Sequence, residues 1–398
     1  MAASLLFLKF SLIFFVIAFS SAVQRPWSHN CMILRVTKDL STLQYLTRLY
    51  LGSARSEPVK VVLDLGGPLL WLSYCPSFRP LPCKSLQCSR AIANSSCFSD
   101  TCNLRAVNAV TGAESPGELA EDVVAIDATS YSITAIERFL FSCAPPWLMT
   151  GLASQAQGMM GLGMGRIGLP SQLAAVGHFR NFALCLSPSS GSAIFAGDRR
   201  EISLSGDPVW NSLTYTPLVP NPDGEYYVKI KSIKVNRRRL SLDLSSDLIV
   251  KLSTIVPYST MESSIYKTLV RAYTQAAAAA NITQVGAVHP FELCFSSGGE
   301  FETPVVPEIE FVLQSEMVKW GIFGRNAMVE VSEGVMCLGI LDGGVNNGFS
   351  VVLGGQQLED NLLEFDLGTA MLGFSSLLKM NTSCSDFRLG FIAGDESV

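Results

Sequence analysis

Asp64 ends the apolar run Val61-Val62-Leu63-Asp64-Leu65-Gly66-Gly67, and Leu69-Leu70-Trp71-Leu72 follows. A carboxylate among apolar residues is costly to bury without compensating partners, so Asp64 reads as part of a site. A second stretch has the same outline: Leu248-Ile249-Val250-Lys251-Leu252, then Ser253-Thr254-Ile255-Val256, with Ser253 where a second carboxylate would stand. Two close carboxylates sharing one proton supply acid and base together. With Asp64 alone, the pattern reads as such a site with one half lost. Two other acids could substitute. Asp247 lies just upstream of the second run, and Asp366-Leu367-Gly368-Thr369 resembles the Asp64 tetrapeptide. The latter, between Leu362–Phe365 and Met371–Phe374, reads as the turn of a closing hairpin.

Other chemistries fit less well. A serine hydrolase of the α/β type needs a nucleophile elbow, G-x-S-x-G, and a histidine base. That pentapeptide is absent, and His29, His178 and His289 are the only histidines. Gly163-Met164-Gly165-Arg166-Ile167-Gly168 matches G-x-G-x-x-G literally, but a dinucleotide site also needs a strand–turn–helix setting, and Pro170 follows almost at once. No cofactor is expected. A net charge of −5 gives no indication of nucleic acid. The one basic run, Arg237-Arg238-Arg239, reads as a solvated turn between strand-like segments.

The elements that must position Asp64 are short runs rich in Val, Ile, Leu, Thr and Phe, punctuated by Gly and Pro: 59–64, 123–126, 194–196, 226–235 and 329–331. Helices are expected only at 171–176 and at 263–280, the latter carrying an alanine tract of high helix propensity. The chain of 398 residues is 48% hydrophobic and 16% charged, with a mean hydropathy of +0.32, which supplies a large core. The fold class expected is all-β. A weak internal repeat supports two lobes: Asp64 precedes Met159-Met160-Gly161, and Ser253 precedes Val351-Val352-Leu353-Gly354. Asp64 and Ser253 are 189 residues apart, about one domain. The expected division is a signal peptide over 1–22, an N-terminal lobe over 23–210 and a C-terminal lobe over 211–398, with the boundary in the proline-rich stretch 208–222.

The apolar run 10–19, followed by Ser20-Ser21-Ala22, fits a secretory leader cleaved after Ala22. No later stretch is long and apolar enough to span a bilayer. Eleven cysteines fit an oxidising compartment. Cys75, Cys83, Cys88, Cys97, Cys102, Cys143, Cys185, Cys294, Cys337 and Cys384 are the disulfide candidates. Cys31 is left over, as a small buried hydrophobe or, less simply, a link between two chains. No C-x-x-C pair occurs, so no metal site is expected. Asn94, Asn281 and Asn381 head glycosylation sequons.

Several segments together resemble the pepsin-like aspartic proteases (peptidase family A1), and more closely their plant secreted branch. That branch comprises extracellular dermal glycoproteins, basic 7S globulins and inhibitors of microbial xylanases and xyloglucan-specific endoglucanases. The matching segments are 36–45, 63–71, 117–124, 161–173, 253–266, 293–295 and 351–365. The resemblance implies a bilobal fold of two β-barrel-like lobes with a central cleft and a disulfide between Cys294 and Cys337. It also exposes three departures. Active relatives carry Asp-Thr/Ser-Gly-Ser/Thr in each lobe, whereas this chain has Asp64-Leu65-Gly66-Gly67 and Ser253-Thr254-Ile255-Val256. The stretch corresponding to the flap, 108–117, has no tyrosine.

The resemblance therefore implies a secreted, extracellular, monomeric protein that has lost proteolysis and binds a microbial glycoside hydrolase. A basic residue entering such an enzyme's cleft would pair with its catalytic carboxylates. Endoglucanase-inhibiting relatives place basic residues after the tryptophan matching Trp320 and before the last cysteine. Here those places hold Gly321 and the sequon 381–383, leaving Trp320, Arg325 and Lys379 as the expected contacts. A weak aspartic endopeptidase and a peptide-binding, receptor-like protein are the alternatives.

Overall fold

The computed structural model describes residues 31–52, 57–75, 79–92, 97–98, 100–127, 133–176, 179, 181–196, 212–242, 247–297, 306–345, 349–380 and 382–386. The leader, Asn94, Asn381, His29, His178 and the Pro208 end of the proposed lobe boundary lie outside the described residues, as do the side chains of Cys31 and Cys97.

Strands dominate, and the described residues hold five α-helices, so the all-β expectation is met. The longest helix, Ser263–Ala279, buries Ile265, Leu269, Tyr273 and Ala277 on one stripe at four-residue spacing. Its N-terminus is capped by Glu262, whose carboxylate accepts from the Ser264 and Ile265 amides. The expected shorter helix extends two residues further back, as Leu169–Val176. A helix not anticipated, Leu86–Ala91, starts inside the cysteine-rich loop, where the Ser85 hydroxyl accepts from the Cys88 amide at 3.2 Å. Short helices are hard to read where periodicity has no room to repeat.

The expected repeat appears as two equivalent strand pairings. Val59–Asp64 runs parallel to Ala156–Gly161 with Asp64 opposite Gly161, and Leu248–Leu252 runs parallel to Val351–Leu353 with Leu252 opposite Leu353. Both strands that lead into the site are therefore central to their sheets. Val59–Asp64 is buried along nearly its whole length, which explains its nearly continuous apolar run, whereas Leu248–Leu252 alternates and leaves Ile249 and Lys251 half-buried.

The two halves share a sheet. Asn361–Asp366, late in the chain, pairs antiparallel with Asn181–Leu186 from the first half, and Met371–Ser376 and Thr214–Pro217 extend the same sheet. A disulfide from Cys185 to Cys384 closes across the junction. Near it Phe182 stacks on Phe195 and on Phe365, with centroids 5.4 and 4.6 Å apart, and Tyr226 meets Phe182 edge-on and Phe365 at a tilt. The junction also buries charge: Glu359 accepts from Lys38 Nζ at 2.7 Å and from Tyr45 Oη at 2.8 Å. Buried carboxylates are tolerated when paired and hydrogen-bonded, as here.

Candidate functional site

Asp64 lies at the end of its strand and Ser253 just beyond the end of the strand Leu248–Leu252, and Thr254 joins the two loops. Its hydroxyl donates to the Leu63 carbonyl at 2.7 Å and accepts from the Leu65 amide at 3.0 Å. The expectation that two related loops would be brought together is met. The clasp is one-sided, because Leu65 has no hydroxyl to return the same pair of bonds to the Thr254 loop.

Each loop curls around its own acceptor. Asp64 Oδ1 accepts from the Gly66 amide at 3.0 Å, and Ser253 Oγ accepts from the Ile255 and Val256 amides at 3.2 and 3.3 Å. The serine hydroxyl thus fills the turn-forming role that a carboxylate plays in the other loop, but it brings no ionisable group. Under the Asp64 loop runs the glycine motif that imitates a dinucleotide fingerprint. A Cβ on Gly163 would fall 2.6 Å from the Gly66 carbonyl oxygen, and one on Gly165 would fall 2.3 Å from that of Pro68. Those glycines are spaced for close backbone packing beneath the site, which accounts for the motif without a nucleotide.

Asp64 is 9% exposed. Burial pushes its carboxyl up to about 6, against a hydrogen bond from Gly66 and the nearby Lys251 ammonium, which pull it down, and Glu225, which raises it. Glu225 is a second carboxylate close to the Asp64 loop: a Cβ on Gly66 would meet its Cγ at 3.2 Å. It is fully engaged, however. Lys251 Nζ lies 2.5 Å from Glu225 Oε1, and the Tyr227 hydroxyl donates to Oε2. Lys251 Nζ also sits 5.2 Å from the Phe349 ring centroid, and Phe349 stacks on Tyr227. The arrangement offers one titratable proton at Asp64, a neutral serine across from it, and an ion pair beside it.

The hairpin of Thr101–Asn108 and Ala113–Asp127 occupies the flap position. Trp71 Nε1 donates to the Val107 carbonyl at 2.9 Å, and buried Asn108 donates from Nδ2 to the Leu148 and Thr150 carbonyls while its Oδ1 accepts from the Val110 amide. The flap is anchored by Asn108 and Trp71, and it carries no tyrosine.

The two alternative acids are elsewhere. Asp247 is exposed, and Asp366 Oδ1 accepts from the Gly368 and Thr369 amides, the hairpin turn expected of it. Trp320 requires a correction: at 1% exposure it stacks on Phe374 with centroids 4.9 Å apart, so its indole belongs to the core and cannot meet a partner. Arg325 and Lys379 do share a neighbourhood. Arg325 Nη2 pairs with Asp360 Oδ2; Asp360 Oδ1 accepts from Ser383 Oγ at 2.7 Å and from the Cys384 amide at 2.9 Å. Lys379 Nζ lies 4.2 Å from the Phe323 ring centroid. Asn281 is exposed with φ of 58° at the end of the long helix.

Disulfides join Cys75 to Cys143, Cys88 to Cys102, Cys185 to Cys384 and Cys294 to Cys337, and Cys83 is also bonded. The Cys294–Cys337 pairing is the one the resemblance implied. Among the described residues no group of His, Cys, Asp and Glu is arranged to hold a metal ion, and no helix is long and apolar enough to cross a membrane. Sequence reading missed Thr254, Lys251 and Glu225 as site residues. A lysine two positions before Ser253 in an otherwise apolar strand was the available clue.

Two central strands delivering paired loops to a cleft between lobes that share a sheet define a pepsin-like fold. Residues 45–198 match the xylanase inhibitor N-terminal family and residues 225–376 the xylanase inhibitor C-terminal family, and the chain belongs to this family. It is 41% identical to a probable aspartic proteinase GIP2 of Nicotiana benthamiana, covering 91% of this chain and 92% of the relative. It is 35% identical to gamma conglutin 1 of Prunus dulcis, covering 94% and 93%. Among solved structures, that of edgp superimposes with a TM-score of 0.83 at 38% identity, covering 92% of this chain and 99% of the other. Basic 7S globulin from soybean gives 0.79 at 33% identity, covering 90% and 99%.

Proposed function

We propose that this protein is an extracellular, proteolytically silent member of the family that binds and inhibits a microbial glycoside hydrolase, a xylanase or a xyloglucan-specific endoglucanase. The observation that carries the reading is the pair of loops itself. Thr254 holds them together, yet the position opposite Asp64 is a serine whose hydroxyl is used to shape its own loop. Positioned acid–base groups contribute about 10²- to 10⁴-fold each to such chemistry. A lone carboxylate beside an engaged ion pair cannot supply both an acid and a base. The disulfides support an oxidising compartment, and exposed Asn281 is proposed as a glycan acceptor there.

For inhibition, Lys379 is the basic group to test. Arg325 is half exposed but committed to buried Asp360, whereas Lys379 rests on the Phe323 ring and is free to turn toward a carboxylate. The purified protein is mixed with a panel of fungal xylanases and xyloglucanases at mildly acidic pH, and residual activity is measured with wild type and Lys379→Ala. Inhibition of at least one enzyme, weakened by the substitution, is expected. No inhibition and no co-elution with any of them would remove this reading.

A second reading, weak aspartic endopeptidase activity, is favoured by the retained Asp64 with its raised carboxyl. Pepstatin-sensitive proteolysis at acidic pH that disappears in Asp64→Asn would establish it in place of the first.

A further inference from the structure

The arginine run 237–239 has no part in the cleft, and its placement in the fold gives it a use. Asn236 and Arg237 both adopt the left-handed conformation, with φ of 45° and 64°, forming a tight two-residue turn between Val235 and Arg238. The turn projects three exposed arginines from the edge of a four-stranded sheet made of Arg238–Arg239, Ser232–Val235, Ile309–Val312 and Lys319–Ile322.

Paired residues in adjacent antiparallel strands share a face. Arg239 is opposite Lys234, Lys234 opposite Glu310, and Glu310 opposite Gly321. One row therefore crosses all four strands, about 14 Å wide at the usual spacing of about 4.8 Å. At its far end a Cβ on Gly321 would fall 1.8 Å from Cζ of Phe323, so the tip of the ring occupies the space over that glycine, and Lys379 sits on the ring. Lys319 reaches Glu310 at 3.4 Å, and Lys234 reaches Glu316 at 2.6 Å. Burial, helped by Glu310, raises the Glu308 carboxyl, and the nearby Lys379, Arg237 and Lys319 oppose that rise.

Arg238, opposite buried Val235, faces the other side of the sheet, so five cations gather with three carboxylates, net plus two on a chain whose total is −5. Among the described residues the three arginines form no ion pair. The face alternates cations, suited to carboxylates, with carboxylates able to accept from hydroxyls.

We propose that this sheet face binds an acidic polysaccharide, a linear polymer carrying one carboxylate per sugar along with free hydroxyls. The guanidinium groups at the hairpin take the carboxylates in forked hydrogen bonds, and Glu316 and Glu308 accept from sugar hydroxyls. The site shares only Lys379 with the inhibitor reading, its arginines take no part in that reading, and the proposal does not depend on it.

The experiment measures binding of the full secreted chain to polygalacturonate, to its methyl ester, to neutral xyloglucan and to polyglutamate, by calorimetry at 50 and 200 mM salt. Binding to polygalacturonate alone is expected, weakened about 50-fold between the two salt concentrations if four charges are neutralised. The triple change Arg237→Glu, Arg238→Glu, Arg239→Glu is expected to reduce it at least tenfold. The milder triple change to Gln keeps the test open should the first variant misfold, and unchanged inhibition of any glycoside hydrolase separates this face from the cleft. Equal binding to polyglutamate would assign the face to acidic polypeptides and overturn the proposal. So would equal binding to the ester, no binding to polygalacturonate, or a fully folded variant that binds like wild type.

Discussion

Asp64→Asn should stabilise the protein near neutral pH and lose that advantage in acid. In the folded chain the Asp64 carboxyl is raised from 3.8 to about 6, chiefly by burial. The folded state therefore holds its proton more tightly than the unfolded state does. The stability it contributes is fully present below about pH 4 and is lost as pH rises toward and through 6. Over that window the ionised group comes to cost about 3 kcal/mol, from 1.36 kcal/mol for each pH unit of displacement. Asparagine keeps an acceptor for the Gly66 amide and carries no charge, so it escapes that cost. Denaturant unfolding of wild type and Asp64→Asn at pH 4, 5, 6 and 7 measures the difference directly. The advantage of the variant should grow by about 2 to 2.5 kcal/mol from pH 4 to pH 7, because the unfolded chain is already partly ionised at pH 4. A difference that stays flat across those pH values would show that Asp64 is not raised by its surroundings, and the electrostatic account of the site would fail.

Three further outcomes follow from the packing. Thr254→Val removes both bonds that clasp the loops and leaves the Leu65 amide and Leu63 carbonyl short of a partner, so denaturation should show a loss of about 1 to 3 kcal/mol. Replacing Cys185 and Cys384 by serine opens a link spanning 199 residues; a loss of roughly 3 to 5 kcal/mol is expected in the same assay, and no change would mean that the shared sheet alone holds the junction. Gly321→Ala places a methyl in the Phe323 ring, so it should cost about 1 to 3 kcal/mol. It should also displace Lys379, visible as reduced inhibition where inhibition exists.

Much of the framework was legible because it is local. The apolar runs that end at Asp64 and Leu252 are central strands, the alanine-rich segment is a helix with a four-residue apolar stripe, and Asp366 closes a hairpin turn. Each follows from neighbours a few residues away, whose spacing sets which face is buried. The boundary of Leu169–Val176 and the helix Leu86–Ala91 were read less well, since a helix of one or two turns shows little periodicity.

By itself the sequence determined that one loop carries a carboxylate and its counterpart a serine, since residue identity alone decides whether a second ionisable group is available. It determined equally that the flap lacks a tyrosine. Only the tertiary structure decided what surrounds them: Thr254 across from Leu63 and Leu65, Glu225 drawn over Gly66 and held by Lys251, and Trp320 turned inward against Phe374. Some of these partners lie within one strand pair and others nearly half the chain apart, and strand register and lobe packing bring all of them together. A side chain's type is written in the sequence, but its burial and its partners, which set the Asp64 carboxyl near 6, are properties of the folded assembly.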